Sequence, residues 1–259
     1  MTNPFKSALV ALLTRTPLGR LPVRVRKGVA AGARWTLYPY SSYWRGTHEP
    51  AMQDVLVGLG GGDIRGWCCW DLGAHFGLYS VGLARRVGPT GQVAAFEPNP
   101  VSFSRLQLHR DRNNLPWLKL YAAAVSDHKH GAELFTYGDL GTTTTHLPYE
   151  GETRTEKIGA LNIPTIRLDD LVATGELRSP NFAKIDVEGH GHHALAGMKA
   201  TLESARPTLV IAFHSQQEID GMMALLGPRN YSWRKIGQDS GSAEIHPEGD
   251  YLFTPRSRA

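Results

Sequence analysis

Asp71-Leu72-Gly73-Ala74-His75-Phe76-Gly77-Leu78-Tyr79-Ser80, followed by Phe96-Glu97-Pro98-Asn99-Pro100, decides the fold of this chain. Trp67 to Leu72 is an apolar run of strand length, and Leu78 to Val87 reads as the helix that follows it. Gly73 and Gly77 between them let the backbone turn tightly and approach a ligand. A second strand, Gln92 to Phe96, ends in Glu97 about 20 residues beyond the turn, where a carboxylate accepts hydrogen bonds from both hydroxyls of a ribose. Pro98 and Asn99 then lead into the next helix.

The glycine spacing discriminates between cofactors. Dinucleotide folds use G-x-G-x-x-G, whose second glycine makes room for a pyrophosphate at the helix N-terminus. Here Ala74, His75 and Phe76 separate two glycines, and Asp71 closes the strand. An anionic strand end suits a cationic ligand, and S-adenosylmethionine (SAM) carries a sulfonium and an α-amino group. The bland alternative is a structural turn beside a solvated glutamate.

Further segments extend the pattern: Tyr43-Trp44-Arg45-Gly46-Thr47-His48-Glu49-Pro50, Ala123-Ala124-Val125-Ser126-Asp127, Ile166-Arg167-Leu168-Asp169-Asp170-Leu171, Lys184-Ile185-Asp186-Val187-Glu188-Gly189 and Arg206-Pro207-Thr208-Leu209-Val210-Ile211. With the glycine turn and F-E-P-N-P, the chain over about residues 43 to 214 resembles the FkbM family of SAM-dependent methyltransferases. It departs from the family pattern at His75, where Asn is usual, and at Gly189-His190-Gly191-His192-His193, where a Glu-rich helix start is usual. The resemblance implies a class I methyltransferase fold with SAM as cofactor, S-adenosylhomocysteine (SAH) as product, and a hydroxyl acceptor on a sugar, glycan or polyketide-like metabolite.

Composition is that of one globular unit. The 259 residues are 41% hydrophobic, enough for one sizeable core, read as an extension over residues 1 to 65 and a catalytic domain over residues 66 to 259. The longest early apolar stretch, Ala8 to Leu13, is too short to span a bilayer, and no signal-peptide pattern is visible. Pro4 to Arg15 fits a short amphipathic helix, either solvated or in weak peripheral contact with a membrane. A net charge of +4, with only the basic N-terminal tract through Arg20, Arg24, Arg26 and Lys27 approaching a clustered, aromatic-interleaved pattern, argues against a nucleic-acid substrate. So does Asp186-Val187-Glu188-Gly189, where nucleic-acid amino methyltransferases carry Asp/Asn-Pro-Pro-aromatic. Cys68 and Cys69, adjacent in one strand, point to opposite faces and read as small buried hydrophobes, and a cytoplasmic location is the default.

The remaining punctuation predicts alternating α/β structure. Asn99 caps a helix begun by Pro100 and stopped at Asn113-Asn114. Trp117 to Val125 is the expected third strand, placing Ala124 and Val125 beside the adenine. His128 to Pro164 reads as an inserted hairpin and loop over the site, including the Gly- and Thr-rich run Gly141 to His146 flanked by alternating Ala132 to Tyr137. Phe182 to Val187 is the fourth strand, Ala194 to Glu203 one helix, Thr208 to Phe213 the fifth strand and Gln216 to Leu226 a helix. Tyr231 to Ile236 and Tyr251 to Thr254 complete the count as antiparallel edge strands. The expected architecture is a doubly wound, mostly parallel seven-stranded sheet with ligands at the carboxyl ends of its strands.

That rule gathers a site. Asp71, Gly73, His75, Gly77, Tyr79, Ser80, Glu97, Pro98, Asn99, Ala124, Val125 and Asp186 are the expected cofactor residues. Tyr43, Trp44, His48, Glu49, Glu188, His190 and His214 are the candidates for acceptor contact, although Tyr43 and Trp44 equally suit packing of the extension. Methyl transfer to a hydroxyl needs in-line geometry and a route for the proton, and His214 or Asp186 at the rim suits general-base work. His214 equally suits a helix start, Asp186 a hold on the SAM amino group, and Glu188 a helix N-terminal acid. His190, His192 and His193 match no standard metal spacing; Asp186 with Glu188 is the pair that would take Mg2+. A nicotinamide-dependent oxidoreductase and a non-catalytic SAM- or carbohydrate-binding module are the competing functions.

Overall fold

The computed structural model describes residues 21–37, 43–137, 144–146, 157–238 and 244–256, with side chains omitted from 135 to 159. Strands are β1 (Pro22–Arg24), β2 (Arg34–Thr36), β3 (Cys68–Leu72), β4 (Gln92–Phe96), β5 (Leu118–Tyr121), β6 (Ala124–Val125), β7 (Ala132–Tyr137), β8 (Thr144–His146), β9 (Lys157–Ile163), β10 (Thr165–Ile166), β11 (Phe182–Ile185), β12 (Thr208–Phe213), β13 (Tyr231–Lys235) and β14 (Gly249–Pro255). The described α-helices are α1 (Pro50–Gly58), α2 (Leu78–Val87), α3 (Pro100–Arg112), α4 (Leu168–Ala173), α5 (Gly191–Ala196), α6 (Lys199–Ser204) and α7 (Gln216–Leu226).

Seven strands form the central sheet in the order β13-β14-β12-β11-β3-β4-β5. The five from β12 to β5 are mutually parallel, and β14 pairs antiparallel with both β12 and β13. Central strand β3 is buried throughout, as covering a parallel sheet on both faces requires. Alternate residues serve opposite layers. Cys69, Val93 and Ala95 face the layer of α1, α2 and the β1–β2 hairpin; Cys68, Trp70, Leu72, Ala94 and Phe96 face the layer that contains Leu195, Leu202 and Met222. Of the described residues between 21 and 65, Val25, Trp35, Met52 and Leu56 belong to the core of the first layer. Both cysteines are free and buried, and burial pushes the Cys68 thiol up to about 11.

Four expectations are corrected. The third strand stops at Tyr121, because β4 ends at Phe96 and the Glu97 N–H makes the last bond, to the Tyr121 carbonyl. Pro98 has no N–H to extend that ladder, and the chain pairs again only at β6, parallel with β10. The helix expected over Ala194 to Glu203 is two short helices. A side chain at Gly197 would strike the Ser126 carbonyl, and Asp169 accepts from the N–H groups of Ala200 at 2.8 Å and Thr201 at 2.9 Å, capping a new helix start. Only β13 is an edge among the last two strands; β14 lies inside the sheet. The expected hairpin insertion is a three-stranded antiparallel sheet, β8-β7-β9. Pro4 to Arg15 and the loop Gly141 to Thr143 lie outside the described residues.

Candidate active site

The turn after β3 is built by steric necessity. Gly73 (φ 81°) and Gly77 (φ 86°) take left-handed backbone, and a Cβ on Gly73 would overlap the Asp186 carbonyl oxygen. Glycine therefore allows the ends of β3 and β11 to meet. His75 also takes positive φ, 49°, a cost that its contacts must offset. Its N–H donates to Glu97 Oε2 at 2.7 Å, and Tyr43 Oη lies 2.9 Å from its Nδ1. Burial depresses the His75 pKa to about 4, so the ring is neutral.

Glu97 is the anchor of the second strand end. It is 5% exposed, and its other oxygen accepts the Asn99 N–H at 2.8 Å. Burial pushes its carboxyl up to about 7 against the pull of these two hydrogen bonds. Pro98 makes the turn between them. Asn99 Oδ1 caps α3 through Val101 N at 2.8 Å and Ser102 N at 3.2 Å, as its position before Pro100 predicts. Its Nδ2 is buried without a hydrogen-bond partner.

Asp71, Lys184, Asp186, His214 and Glu218 form an ionic row along the ends of β3, β11 and β12 and the start of α7, in which Asp71, Lys184 and Glu218 are buried and Asp186 and His214 half-buried. Register sets Lys184 directly opposite Asp71. Lys184 Nζ lies 2.9 Å from Asp186 Oδ2 and 3.8 Å from Asp71 Oδ1, while Ser80 Oγ donates to the other Asp71 oxygen at 2.5 Å. Burial disfavours the Lys184 ammonium, but the two aspartates outweigh it and raise its pKa. Burial likewise opposes the Asp186 anion, and Lys184 and His214 overcome that to hold it well below the usual carboxylate range. His214 Nε2 lies 3.4 Å from Asp186 Oδ1, and Nδ1 3.4 Å from Glu218 Oε2. Burial would lower the His214 pKa, yet these carboxylates push it up to about 10. His214 is therefore an imidazolium at neutral pH.

Lys184 and Glu218 escaped sequence reasoning, although each left a signal. Lys184 is a lone cation in the buried strand Phe-Ala-Lys-Ile, two residues before an aspartate, and a buried lysine demands an acidic partner. Ser215-Gln216-Gln217-Glu218 is a capping box; Ser215 Oγ accepts the Glu218 N–H at 3.2 Å. The Glu218 carboxylate instead takes the N–H groups of Gly191 at 2.7 Å and His214 at 2.8 Å, tying the loops after β11 and β12 together.

The extension brings Tyr43, His48 and Glu49 to this rim. Tyr79 Oη donates to Glu49 Oε2 at 2.5 Å, His48 Nε2 lies 3.3 Å from Glu49 Oε1, and Tyr43 and His48 meet edge-to-face with ring centroids 4.6 Å apart. Trp44 follows the packing alternative: its carbonyl accepts the Arg26 N–H, and the guanidiniums of Arg26 and Arg45 lie 5.0 and 5.2 Å from its ring centre. His190 is drawn toward the β6 end, with Nε2 3.1 Å from Ser126 Oγ, and burial depresses its pKa to about 3. Ala124 and Val125 are buried beside that strand end. Glu188 occupies a left-handed turn at φ 48°. Among the described residues no three His, Cys, Asp or Glu side chains are grouped to hold a metal ion, and Asp186 is paired with Lys184 and His214.

A doubly wound sheet whose only reversed strand is inserted next to the edge, with a G-x-x-x-G turn and an acidic second strand end, defines a class I methyltransferase fold. The FkbM methyltransferase domain matches residues 71–234, and the chain belongs to that family. The hexuronic acid methyltransferase AglP of Haloferax volcanii is 30% identical over 178 residues, 69% of each chain. The crystal structure of an FkbM methyltransferase from Methylobacillus flagellatus has a TM-score of 0.50 at 17% identity, over 72% of this chain. The match spans 43% of that longer chain. Family membership sets aside the nicotinamide-dependent reading. No described helix is long and apolar enough to cross a membrane.

Proposed function

We propose that the protein methylates a hydroxyl of a sugar or glycan acceptor, with SAM as donor and a hexuronic acid as the first acceptor class to test. The observation that carries this is the glycine turn with buried Glu97 beside an ionic row that presents the Asp186–His214 pair. The relative AglP, named for hexuronic acids, supports the acceptor class.

The residues fit SAM. Each Glu97 oxygen accepts one backbone N–H and retains lone-pair capacity for a ribose hydroxyl. Buried Asn99 Nδ2 is a donor that still lacks an acceptor. Gly73, His75 and Gly77 would follow the ligand with backbone, and Ala124 and Val125 would line its adenine side. Asp71 and Ser80 are wholly enclosed and bonded to one another, so their part is to brace the turn. When bound, SAM supplies an electrophilic methyl group.

The chain's own residues then position and deprotonate the acceptor. Protonated His214 cannot take a proton, which moves that role to Asp186. Its basicity is low, but the acceptor O–H becomes strongly acidic as the oxygen gains a substituent, so a weak base suffices. His214 and Lys184 hold the Asp186 carboxylate in place, and Tyr43, His48 and Glu49 close the rim against water.

Calorimetric titration with SAH, followed by mass-spectrometric detection of methyl transfer to glucuronate-containing oligosaccharides and neutral sugars, tests this reading. Expected are SAH binding, turnover of the uronate, and a loss in kcat on the order of a hundredfold or more for Asp186→Asn with SAH affinity retained. Absence of SAH binding would overturn the cofactor assignment. Binding without turnover across the acceptor panel would instead identify a non-catalytic module.

A further inference from the structure

The far end of the molecule carries a second charged feature. Helices α2 and α3 both start at the cofactor rim, after Gly77 and Asn99, and run back about 15 to 20 Å. Their last turns, with the β1–β2 hairpin, enclose a cleft of about 430 Å³ lined by Arg24, Arg34, Arg85 and Arg112. These arginines come from four elements, the two strands of one hairpin and the ends of two helices more than 45 residues further along the chain. Arg24 Nη1 donates to the Gly32 carbonyl at 2.9 Å, Arg85 Nη2 to that of Ala31 at 3.4 Å, and Arg112 Nη1 to Thr36 Oγ1 at 2.7 Å. Arg24, Arg34 and Arg85 have no carboxylate partner among the described residues, and the Arg34 guanidinium has no described partner of any kind. The lining acid, Asp111, is answered by Arg110 at 2.7 Å.

The cleft is held in shape. Asn113 receives the Arg34 N–H at 2.8 Å and donates to the Arg34 carbonyl at 2.7 Å, fastening β2 to the end of α3. His109 stacks on Trp35 with ring centres 3.6 Å apart. Compensation of helix dipoles accounts for Arg85 and Arg112, but not for Arg24 and Arg34, which sit on strands. The convergence of Arg24, Arg34 and Arg85, none with a carboxylate partner among the described residues, costs free energy that an anion would recover. Guanidinium forks approaching from several sides suit a tetrahedral oxyanion with many acceptor atoms better than a planar carboxylate.

We propose that this cleft binds a phosphoryl anion, separately from the cofactor rim. The test titrates the full chain with inorganic diphosphate, read by calorimetry and phosphorus NMR at ionic strength fixed with sodium chloride. One diphosphate per chain is expected, with affinity at least about tenfold weaker in Arg34→Ala/Arg85→Ala; both residues are exposed, and SAH affinity serves as the check on folding. Arg34→Ala alone leaves the backbone bonds to Asn113 intact and gives a second, milder measure. No diphosphate binding by the wild type, or equal binding by the double variant, overturns the site. Sedimentation with phosphatidic acid vesicles, against phosphatidylcholine controls, identifies the source. Capture that the double variant loses assigns the phosphoryl group to a lipid headgroup, and diphosphate binding without capture assigns a free anion.

Discussion

At the level of single residues, protonation separates roles that sequence left interchangeable. His214 and Asp186 both stand at strand ends, where a general base is expected. The carboxylates around His214 make it a cation, with its pKa near 10, and the proposed mechanism accordingly gives the proton to Asp186. Glu97 has the opposite character. Buried and pushed up to about 7, it is partly protonated at neutral pH, whereas ribose hydroxyls donate best to the ionised carboxylate. Binding of SAH should therefore expel a proton below pH 7, and affinity should rise as pH goes from 5.5 to 8. Titrations across that range should give a pH-dependent Kd for the wild type and a flat, weaker one for Glu97→Gln. An equally steep wild-type and variant profile would place the titrating group elsewhere. Lys184 shows why this part of the site was illegible: a strand pattern gives its depth, while only register reveals that Asp71 faces it.

Secondary-structure elements were legible where local signals agreed. Asn99-Pro100 before α3 and the glycine turn before α2 each combine a cap or turn with an apolar run, and α2, α3, α7 and β12 lie where the sequence places them. Errors arose where a distant group supplied the hydrogen bond. Asp169 creates the start of α6 from another helix, accepting two backbone N–H groups and the Thr201 hydroxyl at 2.7 Å. It acts as a borrowed N-cap. Asp169→Ala should cost about 0.5 to 2 kcal/mol, the range of a lost cap, measured by urea denaturation; Asp169→Asn should recover part of it. A variant as stable as wild type would show that α6 starts without this bond. The break between β5 and β6 has the same origin, since its cause is the end of neighbouring β4.

Over the whole molecule, the two apolar layers share strands. Leu83 on α2 and Phe253 on β14 are both fully buried, on opposite faces of the sheet. Truncation to alanine should cost about 2 to 5 kcal/mol for Leu83 and about 3 to 5 kcal/mol for Phe253. Because alternate residues of β3 and β4 belong to opposite layers, either change should move one common unfolding transition in calorimetry. Two separable transitions would show that the layers melt independently. The sheet order itself was readable only as a class; that β14 enters beside β12 depends on contacts between segments about 40 residues apart.

The placement of β14 also imposes an order in time. During synthesis β13 emerges before the strand that joins it to the sheet, while β12 presents an unpaired edge rich in Leu209, Val210 and Ile211. Until Gly249 to Pro255 arrives, that edge is a template for any other extended chain. Newborn copies are thus open to mispairing with each other in the interval between emergence of Phe213 and of Pro255 from the ribosome, and a chaperone that shields β12 during that interval would raise the yield of folded protein.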